Sequence, residues 1–217
     1  MGELVLTTYD WVPVPPRGLV RDFRVRWALE EAGLPYEVVL IDPQIQASAH
    51  YHEWQPFGQV PAYRDETVEM FESGAIVLHI AAKSEALSPR DEAGRARVTT
   101  WVVAALNTIE PFAQTYIPLA ESEARESWED QQLAAAETLL NKRLSSLSDW
   151  LGDKDYLLGR FTAGDIIMGT VLRELVTSRA LTRFPNLDAY RRRCEARPAF
   201  ARAMEGQMRT FRENAPA

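Results

Sequence analysis

Cysteine is almost absent from this 217-residue chain: Cys194 is the only one. No intrachain disulfide can form, and no CxxC redox or zinc motif exists. Histidine is scarce too, at three, of which His50 and His52 are close in sequence. Such a pair shares a face only on a strand, and without a cysteine or third histidine beside it no metal is expected. Long apolar runs are missing: nothing approaches the ~18 residues that span a bilayer. Positive charge is in deficit, with 24 Lys and Arg against 31 Asp and Glu for a net charge of −7. That excludes the basic face nucleic-acid binding needs and fits a cytoplasmic protein. The opening "MGELVLTTYD" has no basic stretch leading into an apolar run, so no secretion signal is expected, and no Ser or Thr placed for myristoylation.

What remains is 46% hydrophobic, ordinary for a globular chain with a core. Leu4–Thr7 reads as a buried strand, followed by a loop stiffened by Pro13, Pro15 and Pro16. From Leu19, Val20, Phe23, Trp27 and Ala28 take helical spacing while arginines fill the other face. Gly33 and Pro35 end that helix, and "YEVVLID" gives a second strand, completing a β-α-β unit with parallel strands. After an irregular stretch with a short helix, "PAYR" and "TVEMF" flank Asp65-Glu66 as an antiparallel hairpin, and "SGAIVLHIAAK" is a helix. Beyond residue 90 the strand signal stops. Val98, Trp101, Val102, Ala105 and Ile109 form one helical stripe, and Leu133, Ala136, Leu140, Leu144, Leu147 and Leu151 another. Thr162 and Asp165 read as a capping box, and two more helices meet at Pro198. The expected organisation is an α/β domain over 1–84 and an all-helical domain over 91–217.

Two local features carry chemistry. Pro61 precedes a strand, where its missing N–H costs no ladder bond. A cis Val60-Pro61 bond there would turn the Val60 N–H and C=O outward together, offering an extended peptide one donor and one acceptor. A trans proline opening a strand is the plain alternative. About a dozen residues on, Glu72-Ser73-Gly74 opens a helix. Ser73 and the free N–H groups there suit a carboxylate, and Glu72 suits an ammonium group. A plain helix cap with a solvated Glu is the alternative. Ser73 lacks a G-x-S-x-G context, so a serine hydrolase is excluded.

"PFGQVPAY…FESGAIVLHIA" resembles the cytosolic glutathione transferases, whose thioredoxin-like domain carries an N-P-x-G-x-V-P turn and an E-S-x-A-I helix start. "RVRWALEEAGLPYEVV" is similar to the family's first helix and second strand, "FTAGDI" to its helical-domain capping motif and "FPNLDAYRRRCEARPAF" to its C-terminal helices, in the family's order. The resemblance implies glutathione as co-substrate, with no other cofactor. Val60 beside a cis Pro61 would hold its cysteinyl backbone, Glu72 and Ser73 its γ-glutamyl end, and Gln59 a further polar contact. Gln55 stands where Asn is usual. The family activates the thiol with Tyr, Ser or Cys, yet residues 10–24 contain no Ser or Cys. Only a thiolate attacks, and a free thiol's pKa is near ~8.5, so a donor or positive charge is needed at sulfur. Tyr9 is the expected donor. Arg17 and Arg21 are expected to supply charge, together with the first helix's N-terminus. Trp11, Trp101, Ala105 and Thr108 are expected to line the pocket for a small hydrophobic electrophile, while Cys194 reads as a packed residue. The implied role is a detoxifying transferase, forming homodimers. A non-catalytic binder, or a peroxidase or isomerase on the same scaffold, is the alternative.

Overall fold

The structure, a computed structural model, describes residues 4–122 and 127–216. Its contacts divide the chain into two units, one formed by Met1–Arg90 with Arg197–Ala217 and one by Asp91–Ala196.

The first unit is built on a four-stranded sheet. In chain order it holds β1 (Val5–Tyr9), α1 (Asp22–Ala32), β2 (Glu37–Ile41), α2 (Pro43–Gln46), α3 (Ala49–Trp54), β3 (Ala62–Arg64), β4 (Glu69–Phe71) and α4 (Ser73–Ala82). The strand order is β2-β1-β3-β4. β1 and β2 are parallel, as a crossover through α1 requires, and β3 pairs antiparallel with both β1 and β4. The expected hairpin is present, with a shorter second strand than "TVEMF" suggested. Asp65 explains this: its carboxylate accepts from the N–H groups of Thr67 and Val68 and from the Thr67 hydroxyl, which holds those residues in a turn.

α1 departs most from expectation. Gly33 ends it in a left-handed conformation, φ 66°. It begins only at Asp22, however, and every residue from Asp22 to Leu29 is buried. Arg24 and Arg26, expected on a solvated face, are each 2% exposed. The last helix explains part of this burial. Segment 197–217, expected with the helical domain, groups by its contacts with the sheet unit. There α10 (Pro198–Glu213) covers α1. Phe200 sets its ring edge-on to Phe23 and Trp27, with centroids 5.1 and 5.0 Å apart. Arg197 forks onto both Glu31 oxygens at 2.6 and 2.7 Å.

The second unit is helical throughout its regular structure: α5 (Glu92–Ala104), a π turn (Ala105–Ile109), α6 (Glu110–Glu121), α7 (Ser127–Leu151), α8 (Ala163–Glu174), a 3-10 turn (Ala180–Arg183) and α9 (Pro185–Glu195). Both sequence stripes face its core, with Val98, Val102, Ala105 and Ile109 buried on one and Ala136, Leu140, Leu144, Leu147 and Leu151 on the other. Asp165 completes the capping box from a fully buried position. It accepts from the Thr162 N–H and hydroxyl, the Leu157 N–H and the Tyr190 hydroxyl. Burial pushes its carboxyl up, and those hydrogen bonds pull against it. Cys194 is fully buried in α9.

Candidate functional site

Strand register assembles the first cluster. β1 and β3 pair Val5 with Arg64 and Leu6 with Tyr63, so continuing along the strands sets Tyr9 opposite Val60. β3 and β4 pair Ala62 with Phe71, so Val60 and Ser73 leave the hairpin at the same end. Tyr9, Val60 and Ser73 come to one end of the strands, although 64 positions separate the first from the last.

The contacts agree with that register. The Val60-Pro61 bond is cis. Tyr9 packs on the buried cluster of Ile41, Tyr51 and Val60. Burial pushes the Tyr9 phenol up; the Val60 amide pulls it down and the Asp22 carboxylate adds to the rise. The phenol is therefore protonated at neutral pH, a hydrogen-bond donor and not a base. The same turn is tied from beneath. Tyr51 donates its hydroxyl to the Gln59 carbonyl at 2.7 Å, and the Ala62 N–H donates to Thr7 Oγ1 at 2.7 Å. The Gln59 side chain is exposed.

At the start of α4 the capping residue is Glu72, not Ser73. Glu72 has φ 70° and ψ 110°, a region an L residue occupies only when its surroundings impose it, and such residues cluster at functional sites. Its side chain is exposed and caps nothing. Ser73 is the first helical residue, 4% exposed. Arg24 Nη1 donates to Ser73 Oγ at 3.4 Å, so a buried guanidinium stands behind the proposed carboxylate site. The sequence pattern assigns Arg24 no role. Its signal was its place on the α1 turn after Val20 and Phe23, legible only once α4 and α10 are packed on that helix.

The other expected charges are placed differently. Arg17 turns back on its own loop, donating from Nε to the Val12 carbonyl at 3.1 Å with its guanidinium 5.7 Å from the Trp11 ring centre. Arg21 is exposed in the turn before α1. That loop is fastened by α10: the Gly18 N–H donates to Gln207 Oε1 at 3.0 Å, and Gln207 Nε2 donates to Asp22 Oδ1 at 2.6 Å. Asp22 is fully buried and also accepts from Thr8 and Arg26 at 2.8 and 2.7 Å. Burial pushes its carboxyl up, against the pull of these partners.

In the helical unit, Trp101 and Thr108 line one cavity of about 290 Å³. Ala105 does not. It is fully buried with Val98, Val102 and Ile109, because residues 101, 104 and 108 face a different side of the helix from 98, 102 and 105. Trp11 belongs to the first unit, part-buried, with an indole N–H that has no hydrogen-bond partner. His50 and His52 lie on α3, where i and i+2 diverge, and not on a strand. Among the described residues no cluster of His, Cys, Asp or Glu could hold a metal, and no helix is long and apolar enough to cross a membrane.

Comparison with known proteins bears on the family and the fold. The glutathione S-transferase N-terminal domain model matches residues 5–82. A glutathione S-transferase from Hyoscyamus muticus is 31% identical over 201 residues, 84% of this chain and 92% of that one. The chain belongs to the glutathione S-transferase family. A glutathione transferase from Burkholderia graminis, solved with two glutathione molecules per subunit, superposes with a TM-score of 0.78. It is 25% identical, and the match covers 94% of this chain and 88% of that one. The disulfide-bond oxidoreductase YfcG of Escherichia coli is 28% identical over 195 residues, 81% of this chain and 86% of that one. These matches fix the fold as a thioredoxin-like N-terminal sheet domain followed by a mostly helical remainder.

Proposed function

We propose that this family member conjugates the glutathione thiolate to small hydrophobic electrophiles. The observation that carries the reading is the row of Tyr9, Val60 and Ser73 at one end of the strands, set by the pairing of β1, β3 and β4. In this reading the Val60 backbone holds the cysteinyl residue. Ser73 and the N-terminal amides of α4 take the γ-glutamyl carboxylate, with Arg24 adding positive charge from behind. Glu72 takes the amine, and Gln59 adds a polar contact. Tyr9, kept protonated by burial, donates to the sulfur as it becomes a thiolate, while the proton leaves to solvent. The sulfur then attacks carbon and displaces a leaving group such as halide. Arg21 and the first helix's N-terminus add electrostatic support. Trp101 and Thr108 are assigned to the second substrate. The expected assembly is a cytoplasmic homodimer acting in detoxification.

A second reading is binding without conjugation. It is favoured by the absence of Ser and Cys between residues 10 and 24. Ultraviolet difference absorption at the thiolate band on adding glutathione, followed by turnover with aryl and alkyl halides, separates the two. Thiolate with turnover supports conjugation. Binding without thiolate supports the second reading, and no binding at millimolar glutathione removes both.

A further inference from the structure

Two buried hydroxyls hold the turn that carries Val60, and the proposed function leaves both unused. Tyr51, 3% exposed on α3, sets its hydroxyl 2.7 Å from the Gln59 carbonyl. A carbonyl cannot donate, so the single phenolic proton belongs to that contact. Thr7 Oγ1, fully buried on β1, lies 3.1 Å from the same Tyr51 oxygen and accepts from the Ala62 N–H at 2.7 Å. With the Tyr51 proton committed to Gln59, the Thr7 hydroxyl donates to Tyr51, a nearer acceptor than the Ala62 carbonyl at 3.4 Å. The hydrogen bonds therefore run one way, from the Ala62 amide through Thr7 and Tyr51 to the Gln59 carbonyl. Burial pushes the Tyr51 phenol up, which keeps its proton in place at neutral pH. One residue earlier, Gln46 Nε2 donates to the Gly58 carbonyl at 2.7 Å.

This clamp grips the backbone at positions 59 and 62. Pro61 has no N–H, so between the two anchors the backbone has one donor, the Val60 N–H. Its direction is not free. The Gln59–Val60 peptide is trans and planar, so its C=O and N–H point opposite ways. Drawing the Gln59 carbonyl onto Tyr51 turns the Val60 N–H away from Tyr51. The pull of the Val60 amide on the Tyr9 phenol is in keeping with that direction. A phenylalanine at position 51 would fill the same buried space beside Ile41 and Val60, so packing alone does not require the hydroxyl.

We infer that Tyr51 is a positioning residue for glutathione: its hydroxyl fixes the Gln59–Val60 peptide so that the Val60 N–H is presented to the cysteinyl backbone before the ligand arrives. This deepens the proposed function and rests on its assignment of the Val60 backbone to the cysteinyl residue. The gain is preorganisation, since a peptide plane already set need not be ordered on binding.

The test has one arm without glutathione and one with it. In the full chain labelled at valine nitrogen, the residual dipolar coupling of the Val60 N–H should match the fixed orientation in the wild type and shrink in Tyr51→Phe. An equal coupling in both overturns the inference and leaves the conjugation reading standing. By calorimetry, Tyr51→Phe should bind glutathione about five- to tenfold more weakly, the scale of one lost hydrogen bond. Thr7→Val should weaken binding in the same direction, and Thr7→Ser, which keeps the hydroxyl, should restore it. Trp54→Phe controls for general loosening. Trp54 packs on the same cluster and would lose its hydrogen bond to the Tyr63 carbonyl without touching the turn, so the affinity should stay within about twofold. An unchanged affinity in Tyr51→Phe, or an equal loss in Trp54→Phe, overturns the inference. A wild-type chain that takes up no glutathione removes the conjugation reading, and the inference with it.

Discussion

Tyr9 ends β1 and packs on Ile41, Tyr51 and Val60. Burial keeps the phenol protonated, so its contribution is one donated hydrogen bond to sulfur. Removing it with Tyr9→Phe should raise the thiol pKa of bound glutathione by about one unit, the equivalent of ~1.4 kcal/mol. Ultraviolet titration of the complex reads this, and an unmoved thiol pKa would reassign the donor. Ser73→Ala should weaken glutathione binding about tenfold or more, since a hydrogen bond to a charged group contributes about 1.5–3 kcal/mol; calorimetry would show an unchanged affinity if the carboxylate lies elsewhere. The sequence singled out Val60, Glu72 and Ser73 because a turn and a helix start are local features. Arg24 was not legible, because a guanidinium on a helix gives no sign of burial until its neighbours are in place.

Among the elements, the β3–β4 hairpin is tied down by one side chain. Asp65 accepts from Tyr63, His79 and Lys83 as well as from the turn. Burial pushes its carboxyl up, but the hydrogen bonds from Lys83, His79 and Thr67 outweigh that and hold it well below the ordinary carboxylate range. A carboxyl depressed in the folded state stabilises above its unfolded pKa of about 3.9, and that stability drains away as pH falls below it. Asp65→Asn should therefore cost about 3 kcal/mol at pH 7, the scale of breaking a buried pair. The gap from wild type should narrow below about pH 4; a pH-independent gap in denaturant unfolding would contradict this. α10 makes an equivalent tie to the loop before α1. Gln207→Leu leaves the Gly18 N–H and Asp22 Oδ1 without this partner, at about 2–3 kcal/mol, and should lower Tm by about 5–10 °C. A smaller shift would mean the loop is held elsewhere. The hairpin was legible from its alternation and turn. The attachment of α10 to the sheet unit was not, because an amphipathic helix shows that it has a buried face without showing what covers it.

For the whole molecule, glutathione that binds only the folded chain must stabilise it. At a hundred times its dissociation constant the gain is about 2.7 kcal/mol, so Tm should rise by several degrees; thermal melts with and without glutathione check this independently of any turnover. Sedimentation equilibrium should give twice the chain mass of 24.6 kDa if the expected homodimer forms, and a single chain mass if not. The sequence by itself determined the strand and helix order and the apolar stripes, because hydrophobic period and turn residues act over short distances. Tertiary structure alone decided that Tyr9 meets Val60 and that Arg24 stands behind Ser73. It also turned Ala105 to the core while Trp101 and Thr108 line a cavity. Those outcomes depend on strand register and on which helix faces which, and contacts between distant residues leave no mark in the local pattern of either partner.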